Sequence, residues 1–207
     1  RQIPGAPIAY WASDALLGAF RVGTPLGECS KLCTGLQTGD NDLFVRYWWE
    51  PSRDNEITSR GSWPKWAPLN KGGNYRKWYG NTDNTLFWEN NGEAVRSHRS
   101  SVIRNPKYYG QFGLTWGTLT VGPLSMRFVD YPSIPTDVGC MVYENDECKL
   151  WSLLGLLNSS VSGLFLQLIS PGLHYTVGPT SQLPVFNFDQ GQPVELAKRN
   201  TELSRLD

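Results

Sequence analysis

Histidine is nearly missing: 207 residues carry two, His98 and His174. No His-x-x-x-His pair is present to hold a catalytic metal, and Ser–His nucleophilic hydrolysis has little to draw on. Cysteine is also sparse. Cys29 and Cys33 are separated by three residues, Cys140 and Cys148 by seven, and neither spacing is that of a zinc finger or ribbon. Reduced, partly buried thiols acting as small hydrophobes are expected, with no metal and no disulfide indicated. Long apolar runs are missing too. The longest lies near residues 153–157 and is broken by Asn158, Ser159 and Ser160, far short of the roughly 18 residues a membrane-spanning helix needs. No Gly-x-Gly-x-x-Gly, no phosphate loop ending in Gly-Lys-Ser/Thr and no Gly-x-Ser-x-Gly elbow occurs. The opening Arg1-Gln2-Ile3-Pro4-Gly5 has neither an initiator Met nor a signal-peptide layout, so the chain reads as a piece of a larger cytoplasmic protein.

What is present is a globular composition, 40% hydrophobic and 18% charged, in a length that buries a real core as one domain. The net charge is zero, but it is unevenly spread. Residues 1–52 hold four Lys/Arg against five Asp/Glu, residues 53–109 ten against five, and residues 110–207 five against nine. The middle third is thus a basic island of +5 in an otherwise acidic chain. A local field of this kind attracts anions whatever the total charge.

Periodicity predicts an N-terminal amphipathic helix over residues 7–20, with Pro7 in its first turn and Gly23 and Pro25 ending it. Residues 34–42 are rich in Gly and polar side chains and lead into a strand-like aromatic run, 43–49. Gly39 and Asp40-Asn41 suit a tight turn feeding it. Residues 51–113 show no sustained period; long ordered loops are expected there, with short strands such as 85–88 and with Trp63, Trp66, Trp78 and Trp88 as anchors. Further short strands are expected at 112–118, 124–129 and 138–143. Leucines recurring from Leu150 to Leu168 predict a helix pair jointed at Asn158-Ser159, and a helical tail spans about 194–206. The fold class is α+β: a β-rich centre with long ordered loops, an N-terminal helix and a C-terminal helix pair. Its parts fall at 1–23, 24–147, 148–170 and 171–207, within a single domain covering 1–207.

The densest chemistry lies in Asn70-Lys71-Gly72-Gly73-Asn74-Tyr75-Arg76-Lys77-Trp78-Tyr79-Gly80-Asn81. Lysine and arginine neutralise phosphates, Arg and Asn fork onto guanine and adenine, and aromatic faces meet sugars and thymine methyls. The glycine pair lets backbone approach a ligand closely. A second cationic cluster follows at Arg96, His98, Arg99, Arg104 and Lys107. The candidate DNA-binding residues are therefore Lys65, Lys71, Asn74, Arg76, Lys77, Trp78, Tyr79, Arg96, Arg99, Arg104 and Lys107, with no catalytic residue identified. A purely structural role competes at each: a cationic loop pinned by core Trp and Tyr gives the same pattern. If about four of these cations meet phosphates, binding weakens roughly 150-fold from 50 to 200 mM salt.

The runs Ile3-Pro4-Gly5-Ala6-Pro7-Ile8-Ala9-Tyr10-Trp11, Leu36-Gln37-Thr38-Gly39-Asp40-Asn41-Asp42-Leu43-Phe44, Asn70 to Asn81 and Trp88-Glu89-Asn90 carry a resemblance. So do Gly113-Leu114-Thr115-Trp116, Asp137-Val138-Gly139-Cys140, Leu153-Leu154-Gly155-Leu156-Leu157-Asn158-Ser159 and Leu173-His174-Tyr175-Thr176-Val177-Gly178. Across nearly its whole length the chain resembles the C-terminal part of the PglX family, adenine-specific DNA methyltransferases of BREX phage-defence systems related to type IIG restriction–modification enzymes. The resemblance implies a target recognition domain similar to type I and type IIG specificity domains. It would read double-stranded DNA for a separate N-terminal methyltransferase domain of the same protein. It also implies S-adenosylmethionine as cofactor of the parent, none in this part, and other defence-system proteins as further partners. Asn105-Pro106-Lys107-Tyr108 is only a faint match to the family's Asn-Pro-Pro-Tyr loop, since Lys107 breaks it. Two other readings stand beside this one: a docking module for defence proteins, using the Leu-rich helices, and a carbohydrate-binding β-rich module, using some of the nine Trp.

Overall fold

A computed structural model of the chain describes residues 12–51, 63–120, 122–172, 174–186 and 191–207. Along the chain run α1 (Asp14–Val22), β1 (Thr24–Pro25), α2 (Leu26–Cys29), β2 (Lys31–Cys33), α3 (Asn41–Phe44), β3 (Val45–Tyr47), β4 (Trp66–Asn70), β5 (Asn84–Phe87) and α4 (Glu89–Ser97). They are followed by β6 (Gly113–Gly117), β7 (Arg127–Val129), β8 (Ile134–Pro135), β9 (Gly139–Tyr143), α5 (Glu147–Leu157), α6 (Ser160–Ile169), α7 (Val177–Ser181), β10 (Pro184–Val185) and α8 (Gln192–Leu206). The class is α+β, as expected.

Two four-stranded sheets carry the body. The first has the order β2-β9-β6-β7 and is antiparallel throughout; the second has the order β3-β5-β4-β8, with β4 and β8 parallel. Every residue of β9 is buried, because both faces of this strand are covered. Alternation sends Cys140 and Val142 with Leu114 and Trp116 of β6 to one side, where they meet Leu150, Leu153, Leu154, Phe165 and Leu166 of the helix pair. Met141 and Tyr143 go to the other side, against Cys33 and Val129. The second sheet has its own core of Ala67, Leu69, Leu86, Trp88, Val95 and Ile134. Among the described residues no single helix is long and apolar enough to cross a membrane. The pair α5 and α6 passes that test only together and is bent by 72°, and its apolar side chains fill the core.

Several expectations shift in detail. The N-terminal helix is described only from Asp14; the part expected from Pro7 lies outside the described residues. Ser13 caps it, its hydroxyl accepting from the Leu16 N–H at 3.2 Å. The run 43–49 is not one strand. Asp40 accepts from the Leu43 N–H at 3.0 Å and caps the short α3, so that pairing begins only at Val45. The region 51–113 is more regular than its composition indicates, because β4 and α4 form there. Pro68 hides β4 from a pattern search, since proline cannot donate in a ladder. It sits where β4 changes partners: residues 66–68 pair with β5, and Leu69 and Asn70 with β8. At the start of α4, Asn90, Asn91 and Gly92 are left-handed, with φ of 53°, 58° and 74°. Gly92 is required twice over, by its sign of φ and because a Cβ there would lie 2.5 Å from the buried Trp88 ring. Trp88 anchors as expected, at 1% exposure.

The joint between α5 and α6 is a fastening. Asn158 is buried; its Nδ2 donates to the Met126 carbonyl at 3.0 Å and its Oδ1 accepts from the Met126 N–H at 2.9 Å. The side chain thus completes the backbone pairing of a buried residue just ahead of β7. Ser159 then caps α6, accepting from the Ser162 N–H. Replacing Asn158 by Ala strands the Met126 N–H and removes one of the two donors to its carbonyl, which the Trp78 N–H still serves, and a loss of about 1–3 kcal/mol in urea-melt stability is expected. Asn158→Asp, which keeps the acceptor and loses the donor, should fall between that variant and the wild type.

Candidate nucleic-acid interface

The basic loop leaves β4 at Asn70, whose amide is buried and donates to the Ser133 hydroxyl at 3.1 Å, while its carbonyl accepts from the Thr136 hydroxyl at 2.9 Å. Gly72 follows with φ of 82°. A Cβ there would stand 2.9 Å from the Val138 carbonyl, so the tight passage needs glycine. The Gly72 carbonyl accepts from Arg127 at 2.8 Å and from Asn81 Nδ2 at 2.9 Å. Asn81 also donates to the Asn74 carbonyl at 2.8 Å, closing the loop across its neck. Trp78 forms a parallel bridge to Arg127: its N–H donates to the Met126 carbonyl, and its carbonyl accepts from the Phe128 N–H at 2.7 Å.

Arg127 is the unusual member. It is 2% exposed, and its guanidinium donates to the Gly72 and Arg76 carbonyls, the latter at 3.3 Å. Its Nε has no partner among the described residues. Burial lowers its pKa to about 10, with Arg76 pushing the same way, so it stays charged at neutral pH.

The structure sorts the candidate residues into two sets. Arg76 donates to the Tyr79 carbonyl at 2.8 Å and to the Ser204 carbonyl at 2.9 Å, in the last turn of α8. Lys77 donates to the Asn158 carbonyl at 2.7 Å. Trp78 packs against the larger core, and the Tyr79 ring lies 4.3 Å from the Arg205 guanidinium. These four hold the loop to the helices. Lys71, Asn74, Lys65, Arg96, Arg99, Arg104 and Lys107 form the second set. Lys65 pairs with Glu89 at 3.6 Å and lies over Phe87, and Arg96 lies over Trp88. Arg104 donates to Gln37 at 3.3 Å, Lys107 sits over Tyr108, and Arg99 and Asn74 are exposed. Arg96 and Arg104 both bear on Tyr109, whose hydroxyl burial pushes up to about 12 despite them. Asn105, ahead of Lys107, ties its amide to the Thr34 carbonyl at 2.9 Å, a structural use of the Asn-Pro-Lys-Tyr run.

Sequence reasoning missed Tyr47, Trp48 and Trp49, which it assigned to a strand. They are 50%, 57% and 57% exposed, with Tyr47 and Trp49 stacked at 4.6 Å. Asn84 and Arg127 also passed unnoticed, since nothing in the chain order places them beside the basic loop. The four cysteines are free, and among the described residues no group of His, Cys, Asp or Glu is placed to hold a metal.

No family model matches the chain. It is 34% identical over 222 residues to the adenine-specific methyltransferase PglX of Lacticaseibacillus casei (strain Zhang). It is also 34% identical over 211 residues to the adenine-specific methyltransferase BrxX of Escherichia coli O9:H4 (strain HS). Both alignments take in 100% of this chain. The chain is related, end to end, to one segment of the PglX-type methyltransferases. It spans 18% of the length of the first relative and 17% of the second. S-adenosylmethionine is the cofactor that such methyltransferases imply, and a parallel strand, a glycine loop and a helix, the cradle known for dinucleotides, would be one way to hold its nucleoside. Among the described residues β4 and β8 are the one parallel pair of strands, and no such cradle leads from them.

The two sets of cations should separate in stability measurements. Arg76→Ala removes two charge-assisted bonds and should lower thermal stability by about 2 kcal/mol, whereas Arg99→Ala should stay within about 0.5 kcal/mol of the wild type. Equal effects would contradict the inward and outward division.

Proposed function

We propose that this chain is the target recognition domain of a DNA methyltransferase: it binds double-stranded DNA sequence-specifically and directs N6-adenine methylation by a catalytic domain elsewhere in the same protein, in bacterial phage defence. The observation that carries the reading is the basic loop. Its backbone is clamped by Arg127, Asn81 and Trp78, yet the side chains of Lys71 and Asn74 have no partner among the described residues. A held backbone with free polar tips loses little ordering entropy on binding, and the chain's end-to-end similarity to a segment of adenine-specific methyltransferases supports a role in methylation. The cations outside the clamp supply phosphate contacts, which position a duplex without reading it.

A docking role for the chain is the second reading. On α8, Val194, Ala197, Thr201 and Ser204 are buried while Leu196, Leu203 and Leu206 are exposed. This second apolar stripe faces away from the core, and the catalytic domain of the same protein or another defence protein would cover it.

The test is made on the full-length protein with Arg99 and Lys107 changed together to Gln, leaving Arg76 and Lys77 in place to preserve the clamp. Binding to specific duplex should weaken, and the slope of log affinity against log salt should shrink by about 1.8, about 0.9 per lost phosphate contact. N6-methyladenine mapping should show reduced occupancy at the same sites. Unchanged affinity, slope and methylation would move DNA recognition off this face and favour docking. Salt-independent binding of an oligosaccharide would favour the carbohydrate reading instead.

A further inference from the structure

Between β3, β5 and the basic loop lie two adjoining hollows, of about 310 and 340 Å³, which share Tyr47, Lys71 and Asn84 in their walls. Asn74 and Asp83 line one, and Asn41 and Asp42 the other. Many polar groups around them are already engaged: Arg46 donates to the Asp42 and Val45 carbonyls, Glu50 accepts from the Tyr47 N–H, and Asn81 spans the loop neck. The ammonium of Lys71 and the amides of Asn74 and Asn84 have no partner among the described residues. They open on the same space, beside the carboxylates of Asp42 and Asp83.

This set is wrong for phosphate. Two free carboxylates against one free ammonium repel a phosphodiester, whose contacts call for an excess of donors. It does suit the edge of a base pair, which presents donors and acceptors side by side. Side-chain amides fork onto adenine N6 and N7, lysine donates to guanine O6 and N7, and carboxylates accept from cytosine N4. An apolar flank is also there, in the stacked rings of Tyr47 and Trp49, of the kind that meets a thymine methyl or a sugar.

We propose that the paired hollow is the base-reading site of this chain, with Lys71, Asn74 and Asn84 as specificity-determining residues and the edges of one or two adjacent base pairs as its ligand. This rests on the DNA-recognition reading above and divides it in two: the outer cations hold the backbone, and the hollow reads the sequence. Asn84 lies on a strand and Asn74 on a clamped loop, so the two amides are held apart at fixed geometry, as sequence reading requires.

The experiment uses the full-length protein with single changes Asn74→Ala, Asn84→Ala and Lys71→Met, each checked for an unchanged melting temperature. Affinity is measured for the specific duplex and for duplexes altered at one base pair, at several salt concentrations, and the methylated motif is mapped in cells. The expected result is a relaxed requirement at one position of the motif in at least one variant. Discrimination there should fall about ten-fold or more, with the salt slope unchanged for the two asparagine variants. Asn84→Gln, which retains an amide on a longer arm, should keep affinity while altering the preferred base. Uniform weakening across all sequences with a reduced salt slope would overturn the assignment, because it marks phosphate contact. An unchanged motif in all three single variants, alongside weakened binding in the Arg99 and Lys107 double variant, would overturn it too while leaving DNA recognition standing. If the double variant and the three single variants all bind and methylate as the wild type does, the broader reading fails and this inference with it.

Discussion

A buried positive charge sits at the centre of this molecule. Arg127 opens β7 and is all but removed from solvent; its guanidinium is held by the carbonyls of Gly72 and Arg76. Removing a charge from water costs several kcal/mol unless donors find acceptors in good geometry. Among the described residues only the loop after β4 offers them, so the loop must stay in place for Arg127 to be tolerated. The left-handed passage at Gly72 and the bridge of Asn81 across the neck follow from the same demand, since both aim the Gly72 carbonyl where it is needed. The first sheet and the second, whose strands pair only within their own sheet, are tied together through this charge.

The helices complete the tie. The carbonyls at a helix C-terminus carry partial negative charge and attract cations, and Arg76 binds there, on the Ser204 carbonyl of α8. The Ser204 hydroxyl answers by donating to the Lys77 carbonyl at 3.2 Å. Arg205 pairs with Asp130 and lies over Tyr79. Lys77 reaches the other helical joint at Asn158, whose amide already holds Met126. Cationic residues adjacent in sequence thus serve opposite ends: Arg76 and Lys77 fix the loop, and Lys71 is left free at its edge.

How much of this could be read from the chain alone depended on range. Features set by neighbours in sequence were legible: the α5–α6 pair with its joint at Asn158 and Ser159, the tail α8, the turn at Gly39 and Asp40, and strands β5, β6 and β9. Features set by distant partners were not. Pro68 argues against a strand unless the change from β5 to β8 is known. Tyr47 to Trp49 look like core aromatics until the short α3, capped by Asp40, turns them outward. Composition marked the basic loop correctly as the place where chemistry gathers. It could not divide its cations, because Arg76 and Lys71 differ only in what the fold brings near them, in one case the end of a helix more than a hundred residues away.

The pairing of early strands with late ones has its own consequence. β2 pairs with β9, and β1 with β10, joining Thr24 to Val185. During synthesis the first strands must therefore wait for nearly the whole segment to leave the ribosome before they meet their partners. The stretch from β3 to α4, whose antiparallel contacts are local, is free to form ahead of them. Long-range closure of this kind is slow, and it leaves strand edges open while it is pending. The β3, β5 and β4 part of the second sheet is thus able to stand first, β8 and the first sheet follow with the residues up to Tyr143, and the β1–β10 pairing closes last.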